Sequence, residues 1–132
     1  MKTLQLDILT PSRHALSVPC ENVYLPADDG EMGVLESHED YVTLLGTGVV
    51  RIATSTEPSA LCVRGGFLEV SHDHITLLAD EVKFAKEINK SELDAKLEKV
   101  ESNLVSSKDD VLLQAYYLEE KKWLETQKSF VQ

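Results

Sequence analysis

The distribution of glycine and proline divides this chain into two parts. The sequence contains six glycines and four prolines, and none of them occurs from Glu87 to Gln132. Both residues disfavour the interior of a helix, whereas Leu, Glu, Lys and Ala, which fill this second part, favour it. The sequence therefore predicts a β-rich domain over residues 1–86 and a helical domain over residues 87–132.

The first part contains short aliphatic segments separated by turn signals. Leu4, Leu6 and Ile8 alternate with polar residues, which is the period of two that is typical of a strand with one face in water. Seven further strands are predicted near residues 16–18, 21–25, 42–45, 47–53, 60–64, 66–71 and 74–79. Short strands at this spacing indicate a β-sandwich or a β-barrel.

The second part begins with an amphipathic helical pattern. Its apolar residues recur at spacings of four, three and four, as Leu93, Leu97, Val100 and Leu104. Ser91, with Asp94 three positions later, predicts the N-cap of this helix. A polar break over residues 103–108 predicts its end.

A second helical pattern extends from this break to about Lys128. Ser107 with Asp110 predicts its start, and the acidic residues there suit the positive end of the helix dipole. Its apolar residues are Leu112, Leu113, Ala115, Tyr116, Tyr117, Leu118, Trp123 and Leu124. Because neither helix can bury its apolar side alone, we expect an antiparallel hairpin. Two roles remain open for the surplus aromatic surface, namely packing within the hairpin and docking of another subunit.

Composition excludes several classes of partner. The formal net charge of −10 argues against nucleic acid or an anionic membrane surface, because both require clustered Lys and Arg. Cys20 and Cys62 lie far apart, so we expect reduced, buried thiols. No apolar run is long enough to span a bilayer, and the first residues lack the apolar core of a signal peptide. We therefore expect a cytoplasmic protein without a direct lipid anchor.

Residues that could carry catalysis or bind a metal are sparse. His72 and His74 could present two imidazoles, and a small metal-dependent enzyme that uses them with a cysteine is one hypothesis. Because no third or fourth ligand lies nearby in the sequence, a solvated turn is the simpler interpretation. His38 lies among acidic residues, which favours a surface or interface histidine over a general base. The sequence therefore predicts no catalytic residue, no metal and no cofactor, and a surface that binds other proteins.

Two segments carry a resemblance to a known family. The first is Gly-Glu-Met-Gly-Val-Leu-Glu-Ser-His at residues 30–38, and the second is Arg-Gly-Gly-Phe-Leu-Glu-Val at residues 64–70, followed by Ile-Thr-Leu-Leu-Ala-Asp at 75–80. They resemble the epsilon subunit of rotary F-type ATP synthases, in which an acidic glycine-flanked turn leads into a Leu-Pro-Gly-His-like stretch and a Gly-Gly-Phe strand follows later. The resemblance continues, in order, through essentially the whole chain.

This resemblance implies an α+β fold, with a flattened β-sandwich of about ten strands followed by an antiparallel αα-hairpin. It implies a non-catalytic subunit of the central stalk that binds the gamma subunit and the membrane-embedded c ring. Such a subunit couples ion flow to ATP synthesis in the catalytic head, and it is peripheral to the cytoplasmic face of the plasma membrane. The gamma-facing positions of the family correspond to Thr10, His38 and Thr43. The acidic turn that meets the c ring corresponds to Asp29, Gly30 and Glu31.

The helical hairpin of the family restrains ATP hydrolysis by extending into the head, towards the alpha and beta subunits. Basic residues of its second helix there face an acidic segment of beta. The basic pair available here is Lys121 and Lys122, directly after two glutamates, so the resemblance implies weak electrostatic inhibition. The apolar residues that could dock instead are Leu113, Tyr117 and Trp123.

Several bacterial members of this family bind ATP through an Ile/Leu-Asp-x-x-Arg-Ala motif that opens the first helix. This sequence has Asn89 and Glu92 at the two key polar positions. A glutamate where an arginine would meet phosphate replaces a bidentate contact with repulsion. The departure argues against a nucleotide site, although an ATP-responsive sensor with no role in coupling remains the alternative hypothesis.

Overall fold

The computed structural model describes residues 3–27, 30–34 and 40–132. Within these ranges it contains ten strands, then a short 3-10 helix and two α-helices. The chain divides into two compact units, and the boundary in the sequence lies between Lys83 and Phe84. The α+β fold, with a sandwich of about ten strands followed by a helical hairpin, is thereby confirmed.

The strands have the following bounds: β1 Leu4–Leu9, β2 His14–Cys20, β3 Asn22–Ala27, β4 Gly30–Val34, β5 Tyr41–Leu44, β6 Gly48–Ala53, β7 Ser59–Arg64, β8 Phe67–Ser71, β9 His74–Leu78 and β10 Glu81–Lys83. Eight of them coincide with strands predicted from the hydrophobic pattern. The other two are β4, which follows the acidic turn, and the three-residue β10.

The strands form two five-stranded sheets. Sheet A has the order β2-β1-β9-β8-β5, and sheet B has the order β10-β7-β6-β3-β4. β1 and β9 run parallel, whereas the other paired strands are antiparallel. The side chains with almost no exposed surface come from both sheets and include Leu4, Leu6, Ile8, Val23, Leu25, Val50, Ile52, Leu61, Leu68, Ile75 and Leu77.

The alternation along each strand decides which side chains remain available for binding. In β1 the buried residues Leu4, Leu6 and Ile8 alternate with less buried ones, as the sequence predicts. Burying each such aliphatic side chain contributes roughly 1.5–3 kcal/mol to folding. The register is therefore strongly fixed, because a shift by one residue would turn the apolar set into solvent.

The helical unit consists of a 3-10 helix at Ala85–Glu87, α1 at Lys90–Ser106 and α2 at Val111–Val131. Leu93, Val100 and Leu124 are buried together, and three half-buried residues pack against them: Ile88, Leu97 and Tyr117. Three of the four residues of the predicted stripe of α1, Leu93, Leu97 and Val100, are thus confirmed on its core side. Of the helices in the described ranges, none is both long enough and apolar enough to span a membrane.

Both helices start at caps other than the predicted serines. Asn89 caps α1, because its Oδ1 accepts a hydrogen bond from the backbone N–H of Glu92 at 3.2 Å. Ser91, which the sequence predicts as the cap, lies in the first turn and donates its own hydroxyl to Asn89 Oδ1. Asparagine and serine are comparably good caps, so the local sequence does not distinguish the two positions.

The cap of α2 is Asp110, whose Oδ1 accepts from the backbone N–H of Leu113 at 3.0 Å. Ser107, the predicted cap, instead ends α1, and its hydroxyl donates to the carbonyl of Asn103 at 2.6 Å. The acidic residue at the start of α2 also suits the helix dipole there, as the sequence predicts.

Candidate functional site

An apolar row crosses the outer face of sheet A. Its members are paired strand by strand across β1, β9, β8 and β5, and they are Leu9, Leu78, Phe67 and Leu44. Leu78, Phe67 and Leu44 keep 50%, 52% and 48% of their surface exposed. Three large apolar side chains in register on one exposed face form the kind of patch that marks a protein-binding surface.

The apolar row ends in a groove with a volume of about 360 Å³, lined by Leu9, Thr10, Pro11, Gly66, Phe67, Leu78, Ala79 and Asp80. Thr10 closes the turn between β1 and β2, where its Oγ1 accepts from the backbone N–H of Arg13 at 3.1 Å. Its backbone N–H also donates to the carbonyl of Arg13. The structure thus brings Thr10, a predicted gamma-facing residue, next to the exposed apolar side chains.

Thr43 lies on the other face of the same sheet. It pairs with Leu68, which is fully buried, so the two share the inner face at the edge strand β5. Its neighbours Val42 and Leu44 are the exposed residues of that strand. The structure therefore places Thr43 on the opposite face of sheet A from Leu44 and the exposed apolar side chains beside Thr10. His38 lies outside the described residues.

The apolar row is a candidate binding surface that the sequence analysis does not predict. Phe67 and Leu44 are far apart in the sequence, and only the register of β5 on β8 places them side by side. A local signal exists, however. In β8, Leu68 and Val70 are buried, so alternation places Phe67 on the outer face, where a polar residue is usual.

The acidic end of sheet B is a second candidate surface. Gly30 opens the edge strand β4 opposite Ala27, with φ of +128° and an exposed backbone. Glu31 follows it, and its carboxylate Oε2 accepts from Arg51 Nη1 at 3.0 Å. Both side chains are more than half exposed. Asp29 lies outside the described residues, so the structure addresses only Gly30 and Glu31 of the predicted acidic turn.

A carboxylate lies between two histidines on the outer face of sheet A. Asp7 Oδ1 is 3.3 Å from His14 Nε2, and Asp7 Oδ2 accepts a hydrogen bond from His74 Nε2. The hydrogen bond from Ser17 lowers the pKa of Asp7 most, the two histidines lower it further, and partial burial acts in the opposite direction. Each imidazole binds its own oxygen of the carboxylate, so the three groups do not converge on a common centre.

The described residues offer no metal centre. Among them, no three His, Cys, Asp or Glu side chains are positioned to hold a metal ion. His72 lies in the turn before β9 with φ of +56°, and its backbone N–H donates to Asp40 Oδ1. Burial raises the pKa of Cys20 to about 11 and that of Cys62 to about 12, so both thiols stay protonated at neutral pH.

The predicted regulatory residues of the hairpin divide into two groups. Trp123 is only 3% exposed and Tyr117 packs against the hairpin core, so neither is available for docking in this conformation. Leu113 is exposed, and so are further apolar residues of α2, namely Val111, Leu112, Tyr116 and Leu118. The apolar residues of α2 therefore divide into those that pack within the hairpin and those that remain exposed.

The two lysines of the basic pair also differ. Lys121 Nζ lies 2.7 Å from Glu101 Oε1 on α1, and this contact raises the pKa of Lys121. Lys122 is exposed and makes no ion pair with the part of the chain that the structure describes. The closed hairpin therefore leaves one lysine of the pair available to an acidic partner.

The two residues that depart from the nucleotide motif have separate positions at the start of α1. Asn89 uses its side-chain oxygen to cap the helix, where it also accepts from the Ser91 hydroxyl at 2.8 Å. Glu92 is exposed in the first turn and brings negative charge to that end of the helix. Both side chains therefore stabilise the helix N-terminus, where a capping oxygen and an acidic residue are favourable. Neither side chain is arranged to bind a phosphate.

The comparisons with known proteins agree with this architecture. Residues 3–85 match the sequence model of a family described as the β-sandwich domain of the ATP synthase delta/epsilon chain. The ATP synthase epsilon chain of Bacillus subtilis is 34% identical over 110 residues, which cover 83% of each chain. That of Synechococcus sp. is 33% identical over 107 residues, which cover 81% of this chain and 78% of the relative.

Two solved structures have the same fold. A chain of the mitochondrial ATP synthase of Euglena gracilis, in an OSCP/F1/c-ring structure, aligns with a TM-score of 0.84 and 20% identity, over 98% of this chain and 82% of its own length. A chain from the central stalk and c-ring structure of the Tetrahymena thermophila mitochondrial ATP synthase aligns with a TM-score of 0.67 and 10% identity. The alignment covers 99% of this chain and 98% of that chain. At these identities the likeness concerns the fold alone.

Proposed function

The chain belongs to the ATP synthase delta/epsilon family, and on this premise we propose that it is a non-catalytic subunit of the central stalk of an F-type ATP synthase. In this role it couples ion flow through the c ring to ATP synthesis in the catalytic head. It is peripheral to the membrane, at its cytoplasmic face. The proposal is supported by the names of its relatives and by exposed surfaces suited to binding proteins.

The apolar row on sheet A is the observation that carries the proposal, and we assign it to the gamma subunit. Leu78, Phe67 and Leu44 are each about half exposed. Covering what remains exposed of these side chains would contribute roughly 1 kcal/mol each. The adjoining groove at Thr10 offers a recess for a further side chain of the partner. A monomeric soluble protein gains nothing from such a row, whereas a subunit interface does.

The charge of the chain indicates the kind of surface that gamma presents. With a net charge of −10, the chain repels acidic partners at long range and attracts basic ones. The apolar row itself carries no charge, but Asp7 and Glu69 lie in the next register position of the same face. We therefore expect the complementary surface of gamma to be apolar at its centre and basic at its rim.

The acidic end of sheet B is assigned to the c ring. Glu31 is exposed beside Gly30, in an edge strand at the opposite edge of sheet B from β10. A carboxylate there can accept hydrogen bonds from the polar loops that connect the helices of the ring. The two surfaces lie on different sheets, so one sandwich can contact gamma and the c ring at the same time.

The helical hairpin is assigned a restraining role towards the alpha and beta subunits. Its closed form keeps Trp123 buried and Lys121 paired, while Leu112, Leu113 and Tyr116 remain exposed on α2. Exposed ion pairs contribute little to binding, so Lys122 offers an acidic partner only a weak contact. The restraint on ATP hydrolysis should accordingly be weak.

Substitution in the apolar row tests the proposed function. Leu78→Ser and Phe67→Ser should each weaken binding of the purified chain to gamma by about five- to thirtyfold, which corresponds to roughly 1 kcal/mol for the lost apolar contact and up to about 2 kcal/mol for a central interface residue. Leu118→Ser is the matched control, because Leu118 is a leucine of similar exposure on the hairpin. Isothermal titration calorimetry gives the affinities, and thermal unfolding confirms that the variants fold. Leu118→Ser should bind gamma like the original chain, and if Leu78→Ser and Phe67→Ser did so as well, the apolar row would not be the interface.

A further inference from the structure

We propose that Arg51 is a positioning residue, which holds the carboxylate of Glu31 in the orientation that meets the polar loops of the c ring. This inference rests on the proposed function, since it concerns the same contact with the ring. Arg51 lies on a different strand from Glu31, 20 positions away in the sequence. In this role Arg51 acts on the interface through Glu31 and does not contact the ring itself.

The geometry of sheet B requires Arg51 to reach across an intervening strand. Arg51 lies on β6 and pairs with Tyr24 on β3, whereas Glu31 lies on β4 and pairs with Pro26 on β3. Neighbouring strands are about 4.8 Å apart, so β6 and β4 are separated by two such spacings. Arg51 Nη1 nevertheless lies 3.0 Å from Glu31 Oε2. The arginine side chain must therefore be extended over β3 to make this contact.

Alternation places all the participants on the outer face. Val50 and Ile52, on either side of Arg51, are buried, as are Val23 and Leu25 on either side of Tyr24. Glu31 is exposed in β4, where Val34 is buried. The ion pair therefore lies on the solvent side of sheet B, where a partner can reach it.

A glycine in β4 leaves room for the aromatic side chain beside this pair. A Cβ atom at Gly33 would lie 2.9 Å from Cε1 of Tyr24, so the tyrosine ring covers the backbone of β4 at that point. Tyr24 pairs with Arg51 on one side and with Gly33 on the other. On the same face of the sheet, the next pair along β3 and β4 contains Glu31. Arg51 and Tyr24 are thus paired neighbours on the outer face of sheet B, and Arg51 is the one that contacts the carboxylate.

The contact leaves part of the carboxylate available. Oε2 of Glu31 accepts from Arg51, and Oε1 accepts no hydrogen bond from the residues in the described ranges. An ionised carboxylate can accept several hydrogen bonds, so Oε1 can receive donors from a partner while Arg51 stays in place. The partner chemistry that fits is a polar loop with backbone N–H groups, amides or a cation.

An exposed glutamate without a partner samples several rotamers, and binding must then fix one of them. Immobilising a flexible side chain costs affinity, and an orientation that is fixed in advance avoids most of that cost. We therefore expect loss of Arg51 to weaken binding to the c ring by about two- to tenfold. Loss of Glu31 itself should weaken it at least as much.

A double-mutant cycle tests the proposal. The preformed complex of the whole chain with gamma is titrated onto purified c rings, and the affinity is measured for Arg51→Gln, Glu31→Gln and the double variant. Arg51→Gln should weaken ring binding two- to tenfold, Arg51→Lys should restore part of the affinity, and the double variant should bind like Glu31→Gln alone. Binding to gamma should stay unchanged in all of them.

The control is Arg64→Gln, which removes an arginine that pairs with Glu81 at 3.6 Å near the opposite edge of the same sheet. It should leave ring binding unaltered. If Glu31→Gln weakens ring binding but Arg51→Gln does not, Arg51 has no positioning role. If Arg51→Gln remains harmful in the Glu31→Gln background, Arg51 contacts the ring itself and the inference is wrong. If Glu31→Gln has no effect, the assignment of this surface to the c ring fails instead.

Discussion

Lys121 on α2 lies 2.7 Å from Glu101 on α1, so the first lysine of the basic pair is engaged within the hairpin. Lys128 makes a second contact of this kind with Asp94 at 3.1 Å. The two acids are seven residues apart on α1, and the two lysines are seven residues apart on α2, in the reverse order. The pairs therefore tie the antiparallel helices together at two points, two turns apart.

We expect Glu101→Gln to loosen the hairpin. The substitution removes the carboxylate that holds Lys121, and the open fraction of the hairpin should rise on the order of two- to fivefold, as is typical for a partly exposed ion pair. Amide hydrogen exchange along α1 and α2 measures this opening. Glu98→Gln is the control, because Glu98 is an acid of the same helix that pairs with no residue in the described part of the chain. Equal effects of the two substitutions would show that only the overall charge matters.

We expect Asp7→Asn to remove a pH-dependent part of the stability of the sandwich. In the folded state, hydrogen bonds from Ser17, His74 and His14, in decreasing order of influence, lower the pKa of Asp7. Partial burial raises this pKa, but the hydrogen bonds outweigh it. A lowered pKa stabilises the fold above the pKa of the unfolded chain, near 4, and this stabilisation is lost as the pH falls further. Loss of the carboxylate should cost about 1 kcal/mol at pH 7.

Urea unfolding at pH 7 and at pH 3 measures this contribution. The difference in stability between the original chain and Asp7→Asn should be clear at pH 7 and should shrink at pH 3. Asp73→Asn serves as the control, since Asp73 is an exposed acid in the turn before β9. A difference that stayed constant between the two pH values would mean that Asp7 acts through packing and not through its charge.

The sequence predicts those features of the sandwich that depend on local patterns. The alternation in β1 appears in the sequence because Leu4, Leu6 and Ile8 face the core of a sheet that has one wet side. β4 was missed because two of its five residues are glycines, and its extended form depends on pairing with β3. The helical part is also visible in the sequence, since residues 87–132 contain no glycine or proline and are rich in Leu, Glu, Lys and Ala.

The candidate surfaces depend on register between strands that are distant in the sequence. Leu9 meets Leu78 only because β1 and β9 run parallel, and no local pattern specifies that pairing. The partner of Glu31 is likewise set by the order of β4, β3 and β6 in sheet B. Resemblance to a family could identify Glu31 as a contact, but it could not supply Arg51, which becomes visible only through the distance between the two side chains.

We expect Gly66→Ala to be among the most damaging small substitutions in the sandwich. Gly66 has φ of +110°, and a Cβ atom there would lie 1.8 Å from the carbonyl oxygen of Leu78. The backbone would have to move, so the loss should exceed about 3 kcal/mol. Gly30→Ala is an informative comparison, because Gly30 has φ of +128° but no atom within 4 Å of an added Cβ. Its cost should be only that of backbone strain, about 1–2 kcal/mol.

Chemical denaturation of both variants separates the two effects. A similar loss at Gly30 and Gly66 would show that backbone strain dominates and that the contact with Leu78 is relieved by a small shift. Since Gly66 also lines the groove beside Thr10, its substitution should lower gamma binding as well. Gly30→Ala should leave gamma binding unchanged.

The last prediction concerns the restraint that the hairpin places on ATP hydrolysis. Lys121 is paired with Glu101, and only Lys122 of the basic pair makes no ion pair among the described residues. One exposed lysine beside two glutamates gives a weak attraction to an acidic segment, and salt screens it further. Deletion of residues 87–132 should therefore raise ATP hydrolysis by the assembled complex less than about tenfold, or roughly 1.4 kcal/mol.

Steady-state hydrolysis by the complete and the truncated complex, across a range of ATP concentrations, tests this restraint. The ratio of the two rates should not change with ATP, because Asn89 caps α1 and Glu92 would repel a phosphate. Lys122→Gln should relieve more of the restraint than Lys121→Gln, since Lys121 must first leave Glu101. A much larger activation on truncation, unchanged by either lysine substitution, would mean that docking of Leu112, Leu113 and Tyr116 carries the inhibition.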